Sequence, residues 1–248
     1  MSMTTIPTRD TRIAAAFGSL GILCKNEVIY DERSSTTSTT FHLSSTSADG
    51  SINTKQLRAS LNDETLGSEH PLVDCLRAIR NRRRLLDFLK DGCCIHLKSI
   101  ADGTRSYFAE GGTGLPGVHG QPGVVKTTDL HAVAALAGLG VSLLAVEGSV
   151  HGKQKFILSA HGEFCAGARV NAGELLRDFR SGALAQREPE HPFLYAMMAQ
   201  HNYCRLKKSV DQEVELILLR KPNSRKAAYI SAKASEKAYD RVSKHFGV

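Results

Sequence analysis

The chain of 248 residues contains no tryptophan, and aromatic residues make up only 6% of it. Its core must therefore be mainly aliphatic, and a hydrophobic share of 42% is enough to build one. The longest apolar run, AVAALAGLGVSLLAV at 132–146, is shorter than the roughly 18 residues that a membrane span needs. Gly138 and Gly140 also interrupt this run. The composition predicts a folded, soluble protein with no membrane partner.

Signals for disulfides, metals and cofactors are also missing. The six cysteines are irregularly spaced, and no CxxC pair occurs among them. The opening segment, MSMTTIPTRDTR, is polar and lacks the apolar core of a secretory signal. We therefore expect reduced thiols and a cytoplasmic location. Because HExxH, GxSxG and kinase signatures are absent as well, we predict no cofactor and no metal site.

A glycine-rich stretch at 111–126 resembles known glycine motifs, but it does not match a P-loop, a dinucleotide-binding motif or collagen. Glycine recurs there at every third position. A P-loop needs a lysine directly after its last glycine, whereas Lys126 follows Gly123 after two valines. A dinucleotide-binding GxGxxG would lead into a helix, and collagen would need many more triplets. We interpret residues 111–126 as a linker between an N-terminal half at 1–110 and a C-terminal half at 127–248.

What the chain does contain is a recurring helix followed by two short strands. Apolar helical periodicity begins near residues 11, 71, 129 and 191, and two alternating runs joined by a polar turn follow each time. The helix starts are roughly 60 residues apart, although the residues themselves match poorly. We predict an α+β fold of repeated helix plus β-hairpin units, which form small antiparallel sheets with helices on one face.

Positive charge is the strongest functional signal. The chain has 32 Lys and Arg against 25 Asp and Glu, a net charge of +7, and such an excess attracts polyanions. One predicted helix has the sequence RAIRNRRR, and a second helix and the hairpin after it add further clusters. The candidate nucleic-acid-binding residues are Arg77, Arg80, Arg82, Arg83, Arg84, Arg205, Lys207, Lys208, Arg220, Lys221, Arg225 and Lys226.

A helix that precedes a hairpin with a basic tip is the layout of a winged-helix module, and RNA-binding α+β domains present similar surfaces. We therefore predict a protein that binds the backbone of DNA or RNA through the Arg-rich helix and the basic hairpin, as a subunit or regulator of a larger complex.

Two alternatives remain open. The segment HNYCRLKK at 201–208 contains the side-chain types of a small metal-independent ribonuclease, with His201 and Tyr203 as its catalytic residues. The other alternative is a protein-interaction module whose Arg-rich helix docks on an acidic partner. Among the three predicted functions, only the ribonuclease makes the protein an enzyme.

Overall fold

A computed structural model describes residues 5–90, 97–102, 105–110, 124–147, 154–163, 169–213, 216–219 and 228–231. The helices in these ranges are α1 (Thr11–Ser19), α2 (Thr54–Asn62), α3 (Pro71–Lys90), α4 (Leu130–Gly138), α5 (Ala172–Ser181), α6 (Ala183–Arg187) and α7 (Pro192–Asp211). The strands are β1 (Thr5–Thr8), β2 (Ile22–Asp31), β3 (Thr36–Ser47), β4 (Leu97–Asp102), β5 (Arg105–Glu110), β6 (Val124–Thr127), β7 (Leu143–Glu147), β8 (Lys155–Ser159), β9 (His161–Glu163), β10 (Arg169–Asn171), β11 (Leu216–Leu219) and β12 (Ala228–Ser231).

The α+β class is confirmed, and so is the helix-plus-hairpin rhythm. The helices α1, α3, α4 and α7 each lead into an antiparallel pair, namely β2–β3, β4–β5, β7–β8 and β11–β12. The described strands form two five-stranded sheets and one two-stranded sheet, β9–β10. None of the described helices is both long enough and apolar enough to span a membrane.

The chain folds into two compact units, and each unit contains segments from both halves of the sequence. Unit 1 comprises residues 1–66 and 198–248, and unit 2 comprises residues 67–197. This division differs from the sequence-based domains at 1–110 and 127–248, because the last hairpin pairs with the first one and the second pairs with the third. Of the predicted linker at 111–126, residues 124–126 belong to β6, and residues 111–123 lie outside the described residues.

Unit 1 is built on an antiparallel sheet of order β1-β3-β2-β11-β12. Alternate residues of β2 are buried, among them Cys24 and Asn26, as expected for a strand with one core face. The Asn26 side chain accepts a hydrogen bond from the backbone N–H of Leu216, which fixes β11 beside β2. Burial raises the pKa of the Cys24 thiol to about 12, so this cysteine is not a nucleophile at neutral pH.

Unit 2 is built on a sheet of order β5-β4-β7-β8-β6, with α3 packed against α4. A glycine allows the two helices to approach closely: a Cβ added to Gly138 would lie 3.6 Å from the Cβ of Arg77. Phe179 of α5 meets Phe193 of α7 edge to face, with ring centroids 5.4 Å apart. The predicted mainly aliphatic core is confirmed, because leucine, valine and alanine dominate the buried cluster of this unit.

The two halves of the sequence repeat one structural pattern with a period of about 120 residues. Both α1 and α4 have nine residues and begin after an aspartate cap, Asp10 and Asp129, whose carboxylate accepts helix N–H groups. In each copy, the backbone N–H of this aspartate donates to a threonine two residues earlier, at 3.2 Å and 3.1 Å. Both helices are followed by a left-handed glycine, Gly21 at φ +86° and Gly140 at φ +84°.

The correspondence continues past the first helix of each half. The helices α2 and α5 both begin after an asparagine cap, Asn53 and Asn171, whose side chain accepts the backbone N–H three residues later. A serine hydroxyl accepts a backbone N–H at 3.1 Å in both copies: Ser44 of β3 accepts from Leu23 of β2, and Ser159 of β8 accepts from Ser142, the residue directly before β7. The chain is thus a tandem repeat whose final helix–hairpin segments have exchanged places between the units.

Candidate nucleic-acid interface

The Arg-rich helix α3 has one fully buried face, which fixes the direction of the others. Leu72, Ile79 and Leu85 are at most 2% exposed. Asn81 lies on the same side, fully buried, and its Nδ2 donates to the backbone carbonyl of Ala134 in α4 at 3.3 Å. A buried amide that lost its partner would be costly, so this hydrogen bond holds α3 in one rotation about its axis.

Arg77 corrects the sequence-based site, because it lies inside the protein. Its side chain is 1% exposed, and its Nη1 lies 3.3 Å from Oδ1 of Asp74, which is equally buried. The same nitrogen donates to the backbone carbonyl of Ser68 at 3.1 Å. Sequence periodicity placed every arginine of the cluster on the outside of the helix, whereas Arg77 lies at its contact with α4. Arg77 therefore neutralises a buried carboxylate and is not exposed for an external phosphate.

Burial has a strong effect on Asp74. Desolvation raises the pKa of Asp74 to about 7, and the charge and hydrogen bond of Arg77 oppose that rise. Its second carboxylate oxygen, Oδ2, is buried and has no hydrogen-bond partner. An unpaired charged oxygen in the interior is unfavourable, so burial makes Asp74 harder to ionise, and Arg77 stabilises the carboxylate when it does ionise.

The remaining arginines form the surface that we call the α3 basic face, which consists of Arg80, Arg83 and Arg84. All three side chains are exposed, and Arg82 beside them is half-buried. Positions i, i+3 and i+4 lie on one side of a helix, so the three guanidinium groups share one surface. The other exposed charged residues of α3 are Asp87 and Lys90, and the exposed side of this helix is therefore strongly positive.

A second basic cluster lies on α7: Arg205 and Lys208, three residues apart, share one side of the helix and form what we call the α7 basic face, and Lys207 projects from another side. All three are exposed, whereas the neighbouring Leu206 is fully buried. Asn202 of the same helix is also buried, and its Nδ2 donates to the backbone carbonyl of Ala15 in α1 at 3.1 Å. This residue belongs to unit 1 and has the role that Asn81 has in unit 2.

The third predicted element, the basic hairpin, is only partly described. Its strands β11 and β12 are present as a pair at one side of the unit 1 sheet. Arg220, Lys221, Arg225 and Lys226, which we predicted to contact the backbone, lie outside the described residues.

The two residues of the nuclease alternative lie on different sides of α7. His201 and Tyr203 are two residues apart on α7, which turns their side chains about 200° from each other around the helix. His201 is exposed and Tyr203 is half-buried. Tyr203 contributes to the electrostatics of Arg12, whose pKa is raised chiefly by its hydrogen bond to Asp10. One helix thus directs the two side chains to different surroundings.

Unit 2 also contains a cavity of about 550 Å³, bounded by α5, α6 and the start of α7. Carboxylates of Glu174, Asp178 and Glu188 line it. Its one arginine, Arg187, is bound to two of them, with Nη1 2.9 Å from Asp178 Oδ2 and Nε 2.8 Å from Glu188 Oε1. The negative lining disfavours a phosphate. Across the described ranges, no group of three metal-ligating side chains comes together.

A signal that sequence reasoning missed lies in the repeat itself. The segments at 70–85 and 191–206 share the pattern HPxxxxxxAxxNxxRL. Compared at about 120 residues instead of 60, the halves match in six positions of this segment. This pattern alone singles out Asn81 and Asn202 as one equivalent pair, and Arg84 and Arg205 as another.

Comparisons of the chain with protein-family models, with curated proteins and with solved structures give no match.

Proposed function

We propose that the protein binds the phosphate backbone of nucleic acid and that the α3 basic face is its main contact. The observation that carries the proposal is the joint exposure of Arg80, Arg83 and Arg84 on a helix whose opposite face is buried. With the helix held in one rotation, these side chains cannot turn towards the core. They present a permanent cluster of positive charge to the solvent.

The chemistry of arginine supports a phosphate ligand. The guanidinium group is planar and permanently charged, and it can donate two parallel hydrogen bonds to phosphate oxygens. Backbone contacts of this kind confer affinity without base specificity. We therefore propose sequence-tolerant binding of DNA or RNA, by a protein that works as a subunit or regulator of a larger complex.

The test is fluorescence-anisotropy binding of labelled duplex DNA, duplex RNA and single-stranded RNA over a salt series. The site variant neutralises Arg80, Arg83 and Arg84 to Gln. A matched control neutralises three exposed cations elsewhere, Lys55, Lys155 and Arg177, and thus changes the net charge equally. On duplex DNA each lost phosphate contact lowers the slope of log affinity against log salt by about 0.9, so the site variant should lose between about 2 and 3 units of slope.

The control separates local contacts from overall charge. It should bind nearly as the wild type does, because its three cations are scattered over different elements. Equal weakening in both triple variants would show that only net charge attracts the polymer, and the proposed contact surface would be wrong. Absence of binding by the wild type at low salt would refute the proposed function. The α3 basic face would then be tested as a docking site for an acidic protein.

A further inference from the structure

We infer that the chain binds a second copy of itself through the free edge of β3. Residues 36–40 of the two copies pair antiparallel in this complex, about a twofold axis at Ser38. The inference goes beyond the proposed function and does not depend on it. It assigns a partner, a second chain of the same protein, to a surface that the proposed nucleic-acid contact does not use.

The strands β2 and β3 are longer than their neighbours and continue past them as a two-stranded arm. β1 pairs with β3 at residues 41–44, and β11 pairs with β2 at Cys24 and Lys25. Beyond these points, residues 27–31 of β2 pair with residues 36–40 of β3. Within the described ranges no strand pairs with the other edge of residues 36–40. Since two strands alone are only marginally stable in water, a further strand on this edge would stabilise the arm.

The backbone of β3 directs hydrogen-bonding groups outwards along this edge. Pro7 of β1 has no N–H, and its carbonyl accepts a side-chain donor of α2 at 2.5 Å, so Pro7 and His42 are not a hydrogen-bonded pair. Because the two kinds of pair alternate along antiparallel strands, Phe41 directs its backbone groups towards β1. With a period of two, Thr37 and Thr39 direct theirs to the same side, beyond the end of β1.

A second copy fits this edge best in one register. With Ser38 opposite Ser38 of the second copy, Thr37 of each chain lies opposite Thr39 of the other. Both residues present outward N–H and C=O groups, so the two pairs can form four hydrogen bonds. The free edge ends at residue 41, where β1 begins to pair, and at the hairpin turn before residue 36. In this register the turn of one copy lies opposite residue 41 of the other, so neither strand extends into β1.

The sequence of this edge, TTSTT, lacks the features that usually protect a sheet edge. Exposed edges are normally short, or carry charged residues or proline. β1 has four residues and contains Pro7, and β6 has four residues and contains Lys126. The free edge of β3 consists of threonine and serine alone, and threonine favours strands. Self-pairing therefore places uncharged side chains opposite each other, and cross-strand threonine pairs are favourable.

The arm also exposes apolar side chains. Ile29 is 47% exposed and Tyr30 is 60% exposed, and they are the exposed large hydrophobic residues among those whose burial is described. They lie directly across the arm from Ser38 and Thr37. Each is therefore in a row of side chains that the second copy extends across the new strand pair.

Charge at the ends of the edge favours the same arrangement. In this register Arg9, which is exposed and follows the end of β1, lies near the hairpin turn of the second copy. That turn has two acidic residues, Asp31 and Glu32, and one arginine, Arg33. Opposite charges thus meet at both ends of the strand pair, whereas the acidic turn disfavours a nucleic acid on this surface.

The first test traps the pair with a cysteine on the twofold axis. Opposite residues of a non-hydrogen-bonded pair have Cα atoms about 4.5 Å apart, within the range of a disulfide. Full-length Ser38→Cys should therefore form linked dimers with oxidised glutathione, seen on a non-reducing gel. Thr36→Cys is the matched control, because residue 36 lies opposite residue 40 and cannot link to itself. A mixture of Thr36→Cys and Thr40→Cys should link, and the wild type gives the background from its native cysteines.

The second test measures the equilibrium without a covalent bond, by analytical ultracentrifugation over a dilution series. Ser38→Lys or Ser38→Glu alone places like charges opposite each other, and the dissociation constant of the dimer should rise about fivefold. Mixing the two variants should restore the affinity, because opposite charges then face each other. Thr39→Pro removes an outward N–H and no N–H that pairs with β2, so it should abolish the dimer while the circular dichroism stays that of the wild type.

Two results would overturn the inference. One is a wild type that stays monomeric at about 1 mM while Ser38→Cys links no faster than Thr36→Cys. The other is a dimer that Thr39→Pro and the charged Ser38 variants leave intact, which would place the contact elsewhere. Neither measurement involves nucleic acid, so failure of the proposed function leaves this inference standing, and the reverse is equally true.

Discussion

The turn after α1 gives a prediction in which the structure isolates one energetic cause. Gly21 has φ +86°, a conformation that residues with a side chain rarely adopt, and a Cβ added there would meet nothing within 4 Å. Replacing Gly21 with Ala therefore introduces no clash, and only backbone strain remains. That strain costs about 1–2 kcal/mol, while the stiffer unfolded chain returns about 0.4–1 kcal/mol. We expect the Gly21→Ala variant to lose about 1 kcal/mol of unfolding free energy.

The chain supplies a matched control for this change. Gly67 is equally open, with nothing within 4 Å of an added Cβ, but its φ lies outside the left-handed region. Gly67→Ala should leave the stability unchanged or raise it by about 0.4–1 kcal/mol, since only the unfolded chain is affected. Asparagine tolerates the left-handed conformation better than alanine, so Gly21→Asn should recover part of the loss.

The measurement is urea unfolding followed by circular dichroism, with the midpoints of the three variants and the wild type compared at equal slope. The expected order of midpoints is Gly67→Ala highest, then the wild type, Gly21→Asn and Gly21→Ala. If Gly21→Ala were as stable as Gly67→Ala, the left-handed turn after α1 would not be a feature of the folded protein. The structural equivalence of Gly21 and Gly140 would then lose its basis.

Three further predictions concern polar groups that are half-buried or buried. His70 and His191 each accept a helix N–H at Nδ1, at 3.1 Å, and burial lowers the pKa of both. The folded state therefore binds fewer protons than the unfolded state. The unfolding free energy should fall as the pH drops below about 6.5. Changing both to Asn keeps the caps and should flatten the pH profile of thermal unfolding between pH 7 and 5. Asp74 has the opposite effect, because its pKa is raised to about 7. The stability of the wild type should fall as the pH rises from about 4 to 7. In the same scan, the stability of Asp74→Asn relative to that of the wild type should rise across this range. Asn81→Ala and Asn202→Ala should each lose about 1–3 kcal/mol in urea unfolding, and clearly unequal losses would contradict their equivalence.

Sequence periodicity predicted the local fold well. Strand alternation and helical spacing depend on near neighbours along the chain, and all four helix-plus-hairpin units are present. The glycine stretch could not be interpreted in full, because apolar residues at its end, Val124 and Val125, pair with β8 only in the folded chain. The sequence likewise did not predict which hairpins pair with each other, since β2 pairs with β11, which lies near the other end of the described chain.

The candidate site was predicted only in part, because contacts between segments distant in the sequence decide which arginines are exposed. Arginine content located the basic helix, but α3 has arginine on its buried side as well as its exposed side, and only the contact with α4 distinguishes them. Arg77 is buried because Asp74, one turn earlier, pairs with it inside the protein. The number of charged residues does not predict this burial, because arginine and aspartate are usually found at the surface. The repeated HPxxxxxxAxxNxxRL pattern, by contrast, is visible in the sequence and depends only on choosing the longer period.

The exchange of segments makes each basic face depend on both halves of the sequence. The α3 basic face comes from the first half, but its helix is held by the Ala134 carbonyl of the second half. The α7 basic face comes from the second half, and the Ala15 carbonyl of the first half holds its helix. Neither half can therefore orient its own arginines, because the asparagine that fixes each helix finds its acceptor in the other half. Because the segments are swapped, each half of the sequence supplies one contact that orients the basic helix of the other half.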